Sequence, residues 1–474
     1  MVPIHRLTAL MLLPLALAAA PRYPFPQTNA TYPHGIVRGA VDAAEVQQAF
    51  DEFMELYQEN PEGTLARIKH DDTTNTVSEG IAYGMLVMVY MDNQYNSTQR
   101  KFDKLWAYYK RHVDSKGLMN WKIKGFTAAT ADGKNSATDA DLDAAVGLMQ
   151  AYKQWGDEKY LNDARALIDS ISKHEVNANG YLKPGDTWDT EKNPSYFSTA
   201  ALQLFRNADD FDWNKVVSNS YSLLKKSQNT TTGLVPNWCN EQGLPSTSTF
   251  DPNRGSYTYD ATRTPWRLAW AYSWYGHQGA KDICAKIASW VSTKTSRNPA
   301  NIVDGYRLDG TAVGRYNNAA FVGPFACAGM VDAAHQGWVD TCSRYLKTMA
   351  KAGYYNTCLK ILTLLHLSGN MPDLWSQPTS IAAERHLSST HTAVSTRTIS
   401  LSNNQRIEFT LGRGDWADIR LYSLSGKLLK VATRGFLPSG KSAIPLNCSP
   451  TAGTYLIRIA TSSTVNVSQV SIVR

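Results

Sequence analysis

A helical stripe that recurs along most of the chain restricts the fold more than any other feature of the sequence. Val46, Phe50, Phe53, Met54 and Tyr57 fall on one helix face, as do Tyr160, Leu161, Ala164, Leu167, Ile168 and Ile171 further on. Ile283, Ile287, Trp290 and Val291 repeat the pattern, and Leu359, Leu362, Leu365 and His366 repeat it again. About twelve such segments lie between Asp42 and Gly369, joined by stretches that carry Gly, Pro, Asn and Asp. Asp42 with Glu45 reads as a capping-box-like start to the first of them. No βαβ rhythm and no tight repeat is visible. Twelve helices in this length suit a closed toroid of paired helices, and an irregular helical array satisfies the same count.

The texture changes after Trp375. Residues 376–398 are rich in Ser, Thr and Ala and read as a linker. Beyond them "RIEFTL", "ADIRLYSL", "KLLKVA", "GTYLIRIA" and "TVNVSQVSIV" form short β-like runs, several alternating apolar and polar, with Gly, Ser or Pro between. Residues 399–474 are therefore expected to form a small β-sandwich-like module. Residues 1–20 have a basic start at Arg6, an apolar stretch from Leu7 to Leu17 and a small-residue end at Ala18–Ala20, the pattern of a secretory signal peptide. That leaves 21–375 as the helical domain of an exported protein. No other segment approaches the roughly 18 apolar residues of a membrane-spanning helix, so no integral span is expected.

Charge and cysteine content narrow the function classes. The formal charge of +7 sits mostly in the tail: Leu401 to Arg474 holds nine Lys/Arg against three Asp/Glu, leaving 39 against 38 elsewhere. A nearly neutral large domain argues against a nucleic-acid partner. The basic tail fits contact with an anionic surface and an ordinary soluble surface equally. Six cysteines without a CxxC pair indicate neither a disulfide scaffold nor a zinc site. Cys284, Cys342 and Cys358 fall on apolar helix faces and are expected to be buried thiols.

Three acidic stretches carry the candidate chemistry. "SATDADLDAAVGLMQAYKQW" places Asp139, Asp141 and Asp143 before an apolar stripe of Leu142, Ala145, Val146, Met149 and Tyr152. A calcium loop would need Gly and an acid where Ala144 and Gln150 stand. Carboxylates complementing a helix start explain the pattern as well as an active site does. "NTVSEGIAYGMLVMVYMDN" sets Glu79 at the head of a strongly apolar helix. Such a carboxyl suits a general acid, and equally a charge facing a helix N-terminus. "GSYTYDATRTPWRLAWAYSWYG" has Asp260 three residues before Arg263, among Tyr257, Tyr259, Trp266 and Trp270. An Asp beside an Arg stays ionised, as a general base must, but a capped helix start with a local ion pair has the same pattern.

Together the three stretches resemble glycoside hydrolase family 8. "SEGIAYGM" is similar to the acid-bearing segment of that family, "ATDADLDAAVGLMQAYKQW" to its signature and "YDATRTPWR" to its base-bearing segment. "FDKLW", "GLMNWKI", "NPSYFS", "GLVPNWC" and "YYNTCLKILTLLHLSGN" extend the likeness, in order, over about Gly35 to Trp375. The resemblance implies an (α/α)6 barrel and endo-hydrolysis of β-1,4-linked glycans with inversion. It implies Glu79 as general acid, Asp260 as general base oriented by Arg263, and Asp139 as the group gripping the sugar at the cleavage point. It implies no metal and no organic cofactor. Trp121, Trp188, Tyr196, Tyr257 and Tyr259 are the aromatic candidates for stacking on sugar faces. The endoglucanase branch is expected, with cellulose or a related β-glucan as the partner polysaccharide and xylan as the alternative. The protein is expected to act as a monomer. Ala144, Gly147, Thr199 and Asn237 depart from the family pattern. The tail resembles C-terminal sorting domains of exported bacterial hydrolases, with carbohydrate adhesion as its other reading.

Overall fold

The computed structural model describes residues 20–27, 31–38, 42–377, 400–401, 406–411, 415–423, 428–446, 453–461 and 465–472. The expected signal peptide (1–20) lies outside them except for Ala20, and the expected linker lies outside them apart from 376–377. Twelve α-helices occur among the described residues: α1 (Ala43–Met54), α2 (Ser78–Tyr90), α3 (Gln99–Arg111), α4 (Thr138–Trp155), α5 (Glu158–His174) and α6 (Thr199–Phe205), then α7 (Trp213–Ser227), α8 (Arg263–Tyr275), α9 (Gln278–Lys294), α10 (Ala319–Ala328), α11 (Gln336–Thr348) and α12 (Gly353–Leu367).

Two kinds of helix alternate. Every residue of α2 is buried except Glu79, and every residue of α10 is buried. Helices apolar all round belong inside a fold. The odd-numbered helices are amphipathic: α3 buries Phe102, Leu105, Trp106 and Tyr109 while Lys110 and Arg111 face water. Packing follows from this. Helix α2 touches α4, α4 touches α6, then α8, α10 and α12 follow in turn, and α12 returns to α2. Outside this closed ring α3 lies on α2, α5 on α4, α7 on α6, α9 on α8, α11 on α10 and α1 on α12. The last of these contacts is tied by Lys360, whose ammonium donates to Glu52 at 2.8 Å. Each large apolar side chain sealed between the rings contributes about 1.5–3 kcal/mol relative to exposure.

Local details differ from the sequence expectation in instructive ways. Asp42 does cap α1, accepting from the Ala44 N–H at 2.9 Å. Glu45 does not complete a capping box; it pairs with Arg38 and with Lys347 of α11. Two cations outcompete one backbone N–H for a carboxylate. Gly147 departs from the family pattern at a close approach of two helices, since a Cβ there would lie 3.2 Å from the Met85 Cβ of α2. The five described cysteines, Cys284, Cys342 and Cys358 among them, are buried and free, while Cys448 lies outside the described residues.

Short strands decorate the helical domain. β1 (Tyr57–Glu59) pairs with β2 (Ala66–Ile68), and β3 (Asn75–Val77), β4 (Lys122–Lys124) and β5 (Ala128–Ala129) form an antiparallel sheet that feeds into α2. The C-terminal region is β-rich, as expected. Its strands are β6 (Ser400–Leu401), β7 (Arg406–Leu411), β8 (Asp415–Ser423), β9 (Leu428–Leu437), β10 (Gly440–Pro445), β11 (Gly453–Thr461) and β12 (Val465–Ile472). They form two antiparallel sheets, ordered β10-β7-β6 and β12-β11-β8-β9. Ile407, Phe409 and Leu411 of one sheet and Ile419, Leu421, Ile457 and Ile459 of the other share one apolar core. The sequence reading missed β10, which ends in Pro445; it is an edge strand, the place where a sheet tolerates proline. No helix among the described residues is long and apolar enough to cross a membrane.

Candidate active site

The N-terminal ends of four inner helices, α2, α4, α8 and α12, converge on one cavity of about 550 Å³. Glu79 stands in the first turn of α2, Asp139 in the first turn of α4, Arg263 at the first position of α8 and Tyr354 in the first turn of α12. Asp260 lies just ahead of α8. Helix starts present unpaired N–H groups and the positive end of the helix dipole, so a rim of them favours carboxylates. The β3–β4 pairing sets the acid-bearing end of α2: the Ser78 N–H donates to the Trp121 carbonyl at 2.9 Å, which brings Trp121 beside Glu79.

Arg263 gathers the three carboxyl groups. Its Nη1 donates to Glu79 Oε2 at 2.5 Å and to Asp139 Oδ2 at 2.6 Å, and its Nη2 donates to Asp260 Oδ1 at 3.0 Å. One turn deeper on both helices, Arg267 donates to both oxygens of Asp143 at 2.7 and 2.8 Å. Asp139 and Asp143 are thus two rungs of one ladder between α4 and α8. The upper rung opens onto the cavity, while the lower is sealed, with both side chains 1% exposed. The remaining site oxygens are held by aromatic donors. The Tyr354 hydroxyl donates to Glu79 Oε1 at 2.9 Å, and the Trp238 indole N–H donates to Asp260 Oδ2 at 3.1 Å.

Burial sets the electrostatics. The Asp139 carboxyl is pushed up to about 7, first by burial; Arg263 opposes the rise and the Glu79 charge adds to it. Burial works against the charge of Arg263, but Tyr355, Asp139 and Glu79 around it more than offset that and keep it cationic. One cation facing three carboxylates leaves the cluster negative, and a proton taken up by one of them lessens that charge. Asp139 Oδ1 is buried and has no protein hydrogen-bond partner.

The aromatic candidates divide. Trp121, Tyr196 and Tyr259 line the cavity with the carboxylates, and the Tyr196 ring lies 5.2 Å from the Arg263 guanidinium. Trp188 stacks on Trp238 with centroids 4.5 Å apart and is not among the residues lining this cavity. Tyr257 is fully buried and stacks on Phe325 at 5.3 Å, so it has no face to offer a sugar. The chain bends at Thr258, so Tyr257 faces inward and Tyr259 outward, which the sequence could not say. Trp238, Tyr354, Tyr355, His70 and Asn237 were not singled out as site residues from the sequence. The first four are aromatic rings of the kind that fill cores. Asn237 stood out only as a departure, and its role is now visible: its Oδ1 accepts from the Thr258 and Ala261 N–H groups at 3.0 and 2.9 Å, clamping the turn that bears Asp260.

The chain is 35% identical over 397 residues to an endoglucanase A from Acetivibrio thermocellus, covering 78% of this chain and 80% of that one. It is 33% identical over 393 residues to a beta-glucanase from Niallia circulans, covering 76% and 94%. Among solved structures, the apo beta-1,3-1,4-glucanase of Paenibacillus sp. X4 superposes with a TM-score of 0.70 at 31% identity, covering 74% of this chain and 99% of that one. Residues 28–369, which carry all twelve helices and the whole Arg263 cluster, match the model of Glycosyl hydrolases family 8, and the chain belongs to that family.

Proposed function

We propose that the protein is an exported, endo-acting β-glucan hydrolase that cleaves β-1,4-glucosidic bonds with inversion. The single observation that carries this reading is the convergence of Glu79, Asp139 and Asp260 on Arg263 within one open cavity of a family 8 chain. The double ring of helices is read as an (α/α)6 barrel, whose inner helix starts supply the site. The β-rich region stands apart from the chemistry, for none of its described residues lines the cavity; we assign it to sorting or adhesion.

In this mechanism Glu79 protonates the glycosidic oxygen while the Tyr354 hydroxyl fixes its other oxygen. Asp260, 34% exposed and held at both oxygens by Arg263 and Trp238, takes a proton from the attacking water. Acid and base meet Arg263 through different nitrogens, and an inverting pair requires a gap of about 6.5–9.5 Å for the sugar and water. Asp139, which lines the cavity, grips a hydroxyl of the sugar being cleaved. Trp121, Tyr196 and Tyr259 give ring faces on which the C–H faces of pyranoses stack.

The test is a substrate panel of lichenan, carboxymethyl cellulose, xylan and chitosan, with the anomer of the first product read by NMR. A β-glucan preference with the α-anomer formed first is expected. Faster release from xylan or chitosan, or a β-anomer as first product, overturns the substrate or the stereochemistry respectively.

A further inference from the structure

Behind the cavity lies a second acidic group that the mechanism above does not use. Asp141 of α4 and Glu175, just after α5, are both fully buried. The two carboxyl groups lie near enough for each to shift the protonation of the other. Asp141 Oδ2 and Glu175 Oε2 are buried without a hydrogen-bond donor. Two ionised carboxylates buried side by side repel each other, and two carboxyls sharing one proton do not. The outer oxygens are both served: the Tyr109 hydroxyl of α3 donates to Asp141 Oδ1, and the Ser136 hydroxyl donates to Glu175 Oε1 at 2.5 Å.

Ser136 links this pair to the site. Its hydroxyl oxygen accepts from the Asp186 N–H at 3.0 Å, and its own N–H donates to Asp186 Oδ1 at 2.9 Å. Lys116 neutralises the other oxygen of Asp186 at 2.5 Å. Three residues after Ser136 comes Asp139, the residue that meets Arg263. The turn 136–139 is therefore gripped from below by Glu175, from one side by Asp186 with Lys116, and through α4 by Asp141 with Tyr109. The other carboxylates of α4, Asp139 and Asp143, are already matched by Arg263 and Arg267.

We propose that Asp141 and Glu175 are positioning residues that share one proton, and that this shared proton holds Asp139 in place against Arg263. The inference rests on the reading of Asp139 as a group at the cleavage point. Burial foremost pushes Glu175 up to about 7 and Asp141 well above the ordinary carboxylate range. The native chain thus keeps a proton that the unfolded chain releases. Its stability is full below the ordinary carboxylate values and is lost as pH rises through about 7. Loss of the proton sets two buried anions against each other and loosens the turn.

Glu175→Gln tests this, because an amide N–H donates to Asp141 without a titratable proton. In the full chain, Glu175→Gln is expected to keep kcat on β-glucan within about twofold of wild type near pH 6, with a shallower fall of Tm between about pH 5 and 8. Glu175→Ala is expected to lower kcat by about tenfold or more with KM nearly unchanged. Ser136→Ala, a milder change, is expected to lower kcat several-fold in the same way, and it stands in where Glu175→Ala does not fold. A Tm profile of Glu175→Gln that superposes on wild type overturns the shared proton. Wild-type kcat in Glu175→Ala or Ser136→Ala overturns the positioning role. The Tm profile needs no substrate, so it is decided even where the β-glucan reading fails, a failure that would appear as an inactive wild type.

Discussion

The turns that carry Asp139 and Asp260 look alike in sequence, each an acid ahead of an apolar helix, yet the fold treats them oppositely. Asp139 is 2% exposed, has a cation on one oxygen and nothing on the other, and sits above a second buried carboxyl pair. Asp260 is one-third exposed, with both oxygens held by Arg263 and Trp238 in a turn clamped by Asn237. The difference teaches that a carboxylate can be fixed in two ways. A buried one needs a counter-charge and a proton balance that reach deep into the protein. An exposed one needs only donors aimed at it, and water does the rest. The first arrangement suits a group that grips, and the second suits a group that accepts a proton on every turnover.

This comparison can be broken or sharpened by substitution. The largest expected effect is at the chemistry itself. Glu79→Gln and Asp260→Asn should each lower reducing-sugar release by about 10²–10⁴-fold while helical circular dichroism is unchanged. Near-normal rates in either variant remove that residue from its role. Next comes the sealed rung. Asp143→Ala strands the Arg267 guanidinium and should cost about 3–5 kcal/mol of stability, read as a lower denaturation midpoint. No comparable loss is expected for Asp260→Asn, and equal losses in the two would erase the distinction between the turns.

Smaller effects refine it. Trp238→Phe keeps the ring that stacks on Trp188 but deletes the N–H on Asp260. A hydrogen bond to a charged group contributes about 1.5–3 kcal/mol, so kcat should fall on the order of tenfold or more with an unchanged melting temperature. A variant that instead loses stability and keeps kcat would make Trp238 a packing residue. The mildest signal is a slope. Asp139, pushed up to about 7, binds a proton in the native state that the unfolded chain has released above the usual Asp range. Stability drawn from that proton is full at low pH and lost as pH rises through about 7. Asp139→Asn should flatten part of the fall, leaving the part due to Asp141 and Glu175.

The sequence made the acidic stretches legible because each is local: a few residues, a helix start and a neighbouring Arg or aromatic. Glu79, Asp139, Asp260 and Arg263 could be named, and the structure brings all four together. The count of about twelve helices was equally legible, since an apolar stripe leaves its mark in hydrophobic spacing, whereas the alternation of buried and amphipathic helices was seen only in the structure. What depended on distant segments was not. Tyr354 reaches Glu79 from 275 residues away, and nothing in its own neighbourhood distinguishes it from a core tyrosine. Glu175 sits at an ordinary helix end, and its partner Asp141 reads as helix-start chemistry until α5 is laid alongside α4. Tyr257 and Tyr259 differ only in the side of a turn they face, which a pattern of two aromatics two residues apart leaves undetermined.

The closure of the inner ring has a further consequence for how the protein comes to life. The hydroxyl that fixes Glu79 belongs to α12, and α12 is also the helix that meets α2 to complete the circle. A nascent chain that has emerged as far as α11 already owns Glu79, Asp139, Asp260 and the arginine between them. It still lacks the latch that joins its last helix to its first. Synthesis therefore ends the helical domain on the segment that closes its ring, and a chain truncated ahead of Gly353 is an open arc that carries every carboxylate of the site without the hydroxyl that holds Glu79.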